Sequence, residues 1–239
     1  MMKFLYFCCV LIIFLIVFCV IMSRRFRNPY KLYMIFGKKG SGKTTFMTKK
    51  AIQYMRKGKI VYSSFYIPGA RSFNVNNIGR NTFPPGSVVF VDEVGMIWDN
   101  RKMNLTDWVR NWFKLQRQYK VTVWLASQAF DIDIKLRNLT DGMYMCHCKM
   151  GFLSVARKIK RDFTIVQPTA EGEARIADTL EFEPILLSLF GAETFILTYI
   201  PRWAKFFKSF DPTPLPDISY KDIEIPKHLT KYYKTKRVQ

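Results

Sequence analysis

The sequence predicts an α/β fold in which a mostly parallel sheet is flanked by helices, with one transmembrane helix ahead of it. Three observations predict this: an uncharged apolar segment over residues 4–22, short apolar segments alternating with helical patterns, and glycine-rich or polar turns directly after those segments. Buried parallel strands read as short apolar runs because helices cover both faces of their sheet. We expect an anchor with a basic flank over 1–27, an α/β domain over 28–210 and a Pro-rich, basic-aromatic tail over 211–239.

Composition excludes two classes of protein. The chain has 239 residues and a net charge of +20, but at 49% hydrophobic and 16% aromatic it is too apolar for a disordered polycation. Five cysteines are too few for a disulfide scaffold. The charge is unevenly distributed, because the first acidic residue is Asp92 and residues 1–91 alone carry +15. A functional interpretation has to explain this asymmetry.

The apolar segment over residues 4–22 predicts the transmembrane helix. Its 19 residues would span about 28 Å as a helix, close to the thickness of a bilayer core. The alternative is a cleaved signal peptide, but the run exceeds the usual apolar core of about 7–15 residues and no small-x-small site precedes Arg24. The positive-inside rule, applied to Arg24, Arg25 and Arg27, predicts a single-pass membrane protein whose larger part faces the cytoplasm.

A phosphate-binding loop follows the first predicted strand. The segment GKKGSGKT matches G-x-x-x-x-G-K-[ST] at every fixed position, between a strand over 32–36 and a helical pattern over about 43–57. Glycines let successive N–H groups point at phosphate oxygens, and the helix N-terminus favours negative charge. The pattern predicts a P-loop NTPase in which Lys43 reaches the β- and γ-phosphates and the Thr44 hydroxyl ligates Mg²⁺. The candidate nucleotide-binding residues are Gly37, Lys38, Lys39, Gly40, Ser41, Gly42, Lys43, Thr44 and Thr45. ATP is favoured over GTP, since the chain has no N-K-x-D motif for guanine.

Two later strands end in polar residues that fit the same chemistry. The segment SVVFVDEVG (87–95) has four apolar residues that are followed by Asp92 and Glu93. Asp92 is the candidate second Mg²⁺ ligand, and Glu93 is the candidate general base for the attacking water. The run over 121–126 is followed by Gln128, our candidate sensor of the γ-phosphate or the water, for which a simple strand cap is the alternative.

Two arginines are candidates for an arginine finger. A helical pattern over 106–119 carries a basic face with Arg117 and an apolar face with Trp108, Trp112, Leu115 and Tyr119. That basic face is a solvated surface, a track for the DNA backbone, or a subunit interface that delivers an arginine to a neighbour's ATP. Arg137 is the second candidate, and the sequence does not choose between them. The subunit-interface interpretation predicts a homo-oligomeric ring.

Three further segments carry structural expectations. Residues 142–148 are expected to form a strand and residues 149–167 a hairpin with a basic centre from Arg157 to Arg161. The apolar segment over 184–201 is expected to be a buried element, because Glu193 at its centre argues against a second membrane span.

The residues carry a family resemblance. The segments VDEVGMIWDNR (91–101) and WFKLQRQYKVTVWLASQAFDIDIKLRNLTD (112–141), together with the loop at 37–44, resemble the zonular occludens toxin (Zot) family, which includes filamentous-phage assembly ATPases related to the FtsK–HerA translocases. The resemblance covers about residues 30–210. It implies a cytoplasmic ATPase at the inner face of a membrane that drives assembly and extrusion of a filamentous virion carrying single-stranded DNA. Lys43, Thr44, Asp92 and Glu93 match the roles given above.

The order of segments departs from that family. Its phage members usually place the ATPase first and the membrane span after it, followed by a periplasmic domain, whereas here the apolar segment comes first. We therefore expect any external channel to be absent or supplied by another protein. The expected partners are the membrane, a coat protein or other assembly proteins, and DNA, with single strands favoured. Two alternatives stay open: a nucleotide-gated scaffold without motor activity, and an ATPase that packages or translocates double-stranded DNA.

Overall fold

The structure is a computed structural model that describes residues 2–26, 28–98, 106–128, 134–166, 175–190 and 193–206. The predicted tail over 211–239 lies outside these residues. The described helices are α1 (Met2–Phe26), α2 (Lys43–Arg56), α3 (Val94–Ile97), α4 (Asp107–Leu115), α5 (Ile134–Asn138) and α6 (Ile200–Ala204), with 3₁₀ turns at Val75–Asn77 and Ile185–Phe190. The strands are β1 (Leu32–Phe36), β2 (Val61–Ser63), β3 (Arg71–Ser72), β4 (Val88–Val91), β5 (Thr122–Ser127), β6 (Gly142–Lys149), β7 (Leu153–Val166), β8 (Arg175–Phe182) and β9 (Phe195–Tyr199).

The described strands form one mixed sheet. Its order is β3-β2-β4-β5-β1-β6-β7-β8. The ninth strand, β9, also pairs with β7. Every pair from β3 to β6 is parallel, whereas the three pairs that β7 makes are antiparallel. The predicted α/β class with a mostly parallel sheet and the strand expected over 142–148 are therefore confirmed, but the antiparallel extension formed by β7, β8 and β9 is larger than the hairpin expected over 149–167.

Alternate residues of the parallel strands enter two separate cores. Met34 and Leu125 face the side covered by α4 and α5, where Trp112, Phe113 and Leu136 are buried. The residues next to them on the strands face the side covered by α2. A second buried cluster lies there, in which Phe46 and Met47 of α2 pack with Ile35, Phe90, Trp124 and Ala126. Helices thus flank both faces, which is why these strands are apolar at nearly every position.

Helix α1 is present where the apolar segment predicted a helix. The side chains described within it, from Tyr6 to Met22, are mostly exposed. Among the residues that the structure describes, however, no helix meets both the length and the hydropathy required of a membrane span. The predicted transmembrane role of this helix is therefore not supported by the structure.

Three local predictions need correction. Helix α4 buries Val109, Trp112 and Phe113, whereas Trp108, predicted on its apolar face, is 44% exposed because the helix packs through the neighbouring stripe. The basic stretch from Arg157 to Arg161 lies inside the long strand β7, not at a hairpin tip, since the turn falls at Met150–Gly151, where both residues have positive φ. The segment over 184–201 is not a buried element, because the side chains of its 3₁₀ turn are largely exposed.

Candidate functional site

The candidate residues meet at one edge of the parallel sheet. Strands β1, β4 and β5 are adjacent and parallel, with Phe36 opposite Ser127 and Val91 opposite Leu125. Their carboxyl ends therefore lie side by side, and the segments that follow them contain the phosphate-binding loop, the two acidic residues and Gln128. Ligands in open α/β sheets bind at this kind of edge.

The loop after β1 has the geometry of an anion site. Gly42 adopts a left-handed conformation (φ 86°, ψ 22°) as the N-cap of α2, which begins at Lys43. This conformation favours glycine, and it turns the chain directly into the helix, whose first N–H groups have no intrahelical acceptor. The Lys43 ammonium donates to the carbonyls of Gly37 (2.8 Å) and Lys38 (3.2 Å), and Thr45 is buried in the first turn. Lys38, Lys39 and Gly40 are exposed.

The two predicted metal ligands contact each other. The Thr44 hydroxyl donates to Oδ2 of Asp92 at 2.8 Å, and the Glu93 N–H donates to Oδ1 at 2.9 Å. The Asp92 N–H in turn donates to the hydroxyl of Ser64, which follows the adjacent strand β2. Burial raises the pKa of Asp92, and the hydrogen bonds from Thr44 and the Glu93 backbone oppose that rise only in part. A cation beside this carboxylate would relieve its desolvation.

The predicted base and sensor are also in contact. Gln128 Nε2 donates to Oε1 of Glu93 at 2.9 Å. Glu93 itself lies in the left-handed region (φ 52°, ψ 40°), which is uncommon for a residue other than glycine. Such strain persists when surrounding contacts enforce it, and it is frequent at functional sites. Two consecutive carboxylates therefore have different partners: Asp92 contacts the phosphate-binding loop, and Glu93 contacts the end of β5.

The two arginine candidates lie elsewhere in the chain. Arg117 is exposed on the turn between α4 and the start of β5. Arg137 is half-buried in α5, whose following residues lead to Asp141 at the start of β6. Since β5 and β6 start at the edge opposite the phosphate-binding loop, the fold does not bring either arginine to the loop of its own chain.

Sequence reasoning missed two serines at this site. The Ser64 hydroxyl accepts a hydrogen bond from the Asp92 N–H. Ser64 follows β2, the strand next to β4, so the sequence could have indicated a polar residue beside Asp92. Ser154 donates to the carbonyl of Ser41 inside the phosphate-binding loop, at 2.9 Å. Because Ser154 lies on a distant antiparallel strand, no pattern in the sequence predicted this contact.

The comparisons with known proteins bear on this region. A family profile described as "Zonular occludens toxin (Zot)" matches residues 70–177, which include Asp92, Glu93 and Gln128. The resemblance to the Zot family is confirmed. The Zot-family match begins after the phosphate-binding loop, whose assignment depends on the motif and the geometry described above.

Solved structures give remote likenesses. The N-terminal domain of zonular occludens toxin from Neisseria meningitidis aligns at 17% identity over 66% of this chain and 97% of that one, with a TM-score of 0.40. The genome packaging NTPase B204 from Sulfolobus turreted icosahedral virus 2, solved with AMP, aligns at 14% identity over 51% and 77%, with a TM-score of 0.40. The flagellar accessory protein FlaH from Methanocaldococcus jannaschii aligns at 13% identity over 67% and 94%, with a TM-score of 0.41. No curated protein sequence matches the chain significantly.

Proposed function

We propose that this chain is an ATPase that hydrolyses ATP with Mg²⁺ at the carboxyl edge of its parallel sheet. The observation that carries the proposal is the presence at one edge of a glycine-rich loop, the Thr44–Asp92 pair and the Glu93–Gln128 pair. Each of these parts is common in proteins by itself. Their combination matches what phosphoryl transfer requires: a cradle for phosphates, a metal site and a group that activates water.

The Thr44–Asp92 pair fits Mg²⁺. A hydroxyl and a carboxylate are oxygen donors of the kind that Mg²⁺ prefers, and they lie 2.8 Å apart at the start of α2. The raised pKa of Asp92 fits a carboxylate placed where a cation favours its charged form. When bound, the metal would neutralise charge on the phosphate oxygens. Asp92 then has to be ionised, so protons and metal compete for it.

The remaining residues act on the phosphates and the attacking water. Lys43 supplies a cation that can move from the loop carbonyls to the phosphates, and Gly42 and Lys43 present backbone N–H groups. Glu93 serves as the base that orients the water and takes its proton. Gln128 holds the Glu93 carboxylate through its amide and can contact the same water. No N-K-x-D motif occurs in the sequence, which favours ATP over GTP.

The Zot-family resemblance supports a role in assembling or extruding a filamentous virion or a similar DNA–protein particle. The partners under this proposal are a coat protein or other assembly proteins, and DNA, with single strands favoured. Arg117 or Arg137 would act on a neighbouring subunit's ATP in a ring. The positions of both arginines away from their own loop agree with action between subunits.

We also propose that α1 attaches the chain to a membrane, with the ATPase part on the cytoplasmic side. The exposed apolar side chains between Tyr6 and Met22 support attachment, and the need of the proposed site for ATP supports the cytoplasmic side. The test is fractionation of cells that express the chain with and without residues 2–22. Recovery of the full chain in the soluble fraction at low salt would overturn the attachment.

Steady-state hydrolysis by the full chain, with and without Mg²⁺, tests the ATPase proposal. We expect turnover that requires the metal and that single-stranded DNA stimulates. ATP binding without turnover, even at protein concentrations that support rings, would instead support the non-hydrolysing scaffold. Stimulation by duplex DNA alone would support packaging or translocation of double-stranded DNA.

A further inference from the structure

We infer that Ser154 is a positioning residue of the phosphate-binding loop: it fixes the peptide between Ser41 and Gly42 so that the Gly42 N–H faces the phosphates. The inference deepens the proposed function and rests on it. Its basis is a hydrogen bond between parts of the chain that are far apart in sequence, in which the Ser154 hydroxyl donates to the Ser41 carbonyl at 2.9 Å.

The peptide geometry makes this contact directional. A trans peptide is planar, so its carbonyl and its N–H point in opposite directions. A donor that holds the Ser41 carbonyl on the side of β7 therefore turns the Gly42 N–H toward the opposite side. A hydrogen bond to the carbonyl also polarises the peptide and strengthens its N–H as a donor. Both effects favour an anion in the loop.

Ser154 is held firmly enough to act in this way. It lies in β7 between two paired strands, opposite Cys148 of β6 and Thr198 of β9, and it is 1% exposed. Its hydroxyl therefore sits on a strand fixed from both sides, which is a rigid mount for a positioning group.

Packing around Gly42 shows how closely this strand approaches the loop. A Cβ built on Gly42 would lie 2.6 Å from the Ser154 Cβ and 3.5 Å from Ile200 Cδ1. The left-handed φ of 86° already disfavours a side chain at this position. Together, the conformation and the contact explain why glycine is required at position 42.

The same antiparallel extension also holds helix α2. Lys49 donates to the carbonyl of Leu197 in β9 at 2.6 Å, and Lys50 pairs with Glu193 just before β9 at 2.8 Å. Strands β7 and β9 thus contact both the loop and the helix that follows it. The extension that departs from a simple parallel sheet therefore supports the phosphate-binding segment.

The test compares Ser154→Ala with a graded and a matched control. Ser154→Cys keeps the shape of the side chain but supplies only a weak donor. Thr198→Val removes a buried hydroxyl from the residue opposite Ser154, and that hydroxyl contacts no polar partner in the described part of the chain. Calorimetry measures the affinity of each full-length variant for ATP and for adenosine, and thermal melts without nucleotide measure stability.

We expect Ser154→Ala to weaken ATP binding about fivefold to tenfold, as the loss of one hydrogen bond predicts, with adenosine binding unchanged. Ser154→Cys should fall between the alanine variant and the unsubstituted chain, and Thr198→Val should bind ATP normally. Equal ATP affinities in Ser154→Ala and the unsubstituted chain would overturn the positioning role while the proposed function stands. Failure of the unsubstituted chain to bind ATP would overturn both. A loss shared equally by Thr198→Val would show a structural effect of the buried layer and would also overturn the inference.

Discussion

Replacing Gln128 with alanine tests the contact between the candidate sensor and the candidate base. The substitution removes the amide that donates to Glu93 at 2.9 Å. A hydrogen bond to a charged group contributes about 1.5–3 kcal/mol to the stability of an arrangement. Because this pair is partly exposed to solvent, we expect its removal to raise the activation free energy of hydrolysis by about 1 kcal/mol. That loss corresponds to roughly a fivefold decrease in kcat. The KM for ATP should stay the same, since Gln128 orients the base and does not build the phosphate-binding loop.

The assay is steady-state hydrolysis by the full chain, with Gln118→Ala as a control that removes an exposed glutamine at the opposite edge of the sheet. A double-mutant cycle with Glu93→Gln completes the design. Because Gln128 acts through Glu93, its removal should cost little once the carboxylate is gone. An effect on KM alone, or full additivity with Glu93→Gln, would refute the reasoning.

Two further predictions concern stability. Burial raises the pKa of Asp92 above its usual value of 3.8. The Asp92 side chain therefore stabilises the nucleotide-free fold most below pH 3.8, where it is protonated in both the folded and the unfolded chain, and this stabilisation is lost as the pH rises through the folded-state pKa. Asp92→Asn should therefore raise the melting temperature at pH 7, by an amount that shrinks toward pH 3. The same substitution should lower the rate of hydrolysis about 100-fold or more. A lower melting temperature at pH 7 would contradict the stability prediction. Glu193→Gln should remove the charged partner of the buried Lys50. Since Glu193 is 59% exposed, we expect the free energy of unfolding to fall by about 1 kcal/mol, which lowers the melting temperature by about 2–4 °C. The control Glu181→Gln, on the exposed face of β8, should change the melting temperature little. A double-mutant cycle with Lys50→Met measures that coupling, and zero coupling would rule out a stabilising pair.

The parallel half of the fold could be predicted from the sequence. Strands β1, β4 and β5 are short apolar runs, and each is followed by a polar segment that cannot continue a buried strand. Because parallel strands end at the same edge, the pattern also predicted that the loop, Asp92 and Gln128 would meet. The Glu93–Gln128 contact follows from the adjacency of β4 and β5 in the sheet.

The antiparallel half could not be predicted in the same way. Strand β7 is long and carries lysines and arginines between its apolar residues, so its basic centre suggested a turn instead of a continuous strand. Glu193 suggested burial of its segment, but in the structure it lies exposed and pairs with Lys50 from α2. Contacts such as Ser154 with Ser41 join residues more than a hundred positions apart. Single-sequence patterns carry no information about such pairs, because each residue's local surroundings are ordinary.

Helix α4 shows the limit of periodicity. Two overlapping apolar stripes were available, one through Trp108 and Leu115 and one through Val109, Trp112 and Phe113. The sheet face selects the second stripe, since Trp112 and Phe113 join the core formed by β1, β4 and β5. The choice depends on tertiary packing, which the helical pattern does not contain.

The most direct test of the ATPase assignment measures ATP binding and turnover together in the full chain, in Lys43→Ala and in Glu93→Gln. Lys57→Ala is the matched control, since it removes an exposed lysine at the other end of the same helix. We predict that Lys43→Ala loses ATP binding, that Glu93→Gln binds ATP normally but turns over about 100-fold to 10,000-fold more slowly, and that Lys57→Ala behaves like the unsubstituted chain. Undiminished turnover in Glu93→Gln, or ATP binding that survives in Lys43→Ala, would contradict the assignment of this sheet edge as the site of hydrolysis.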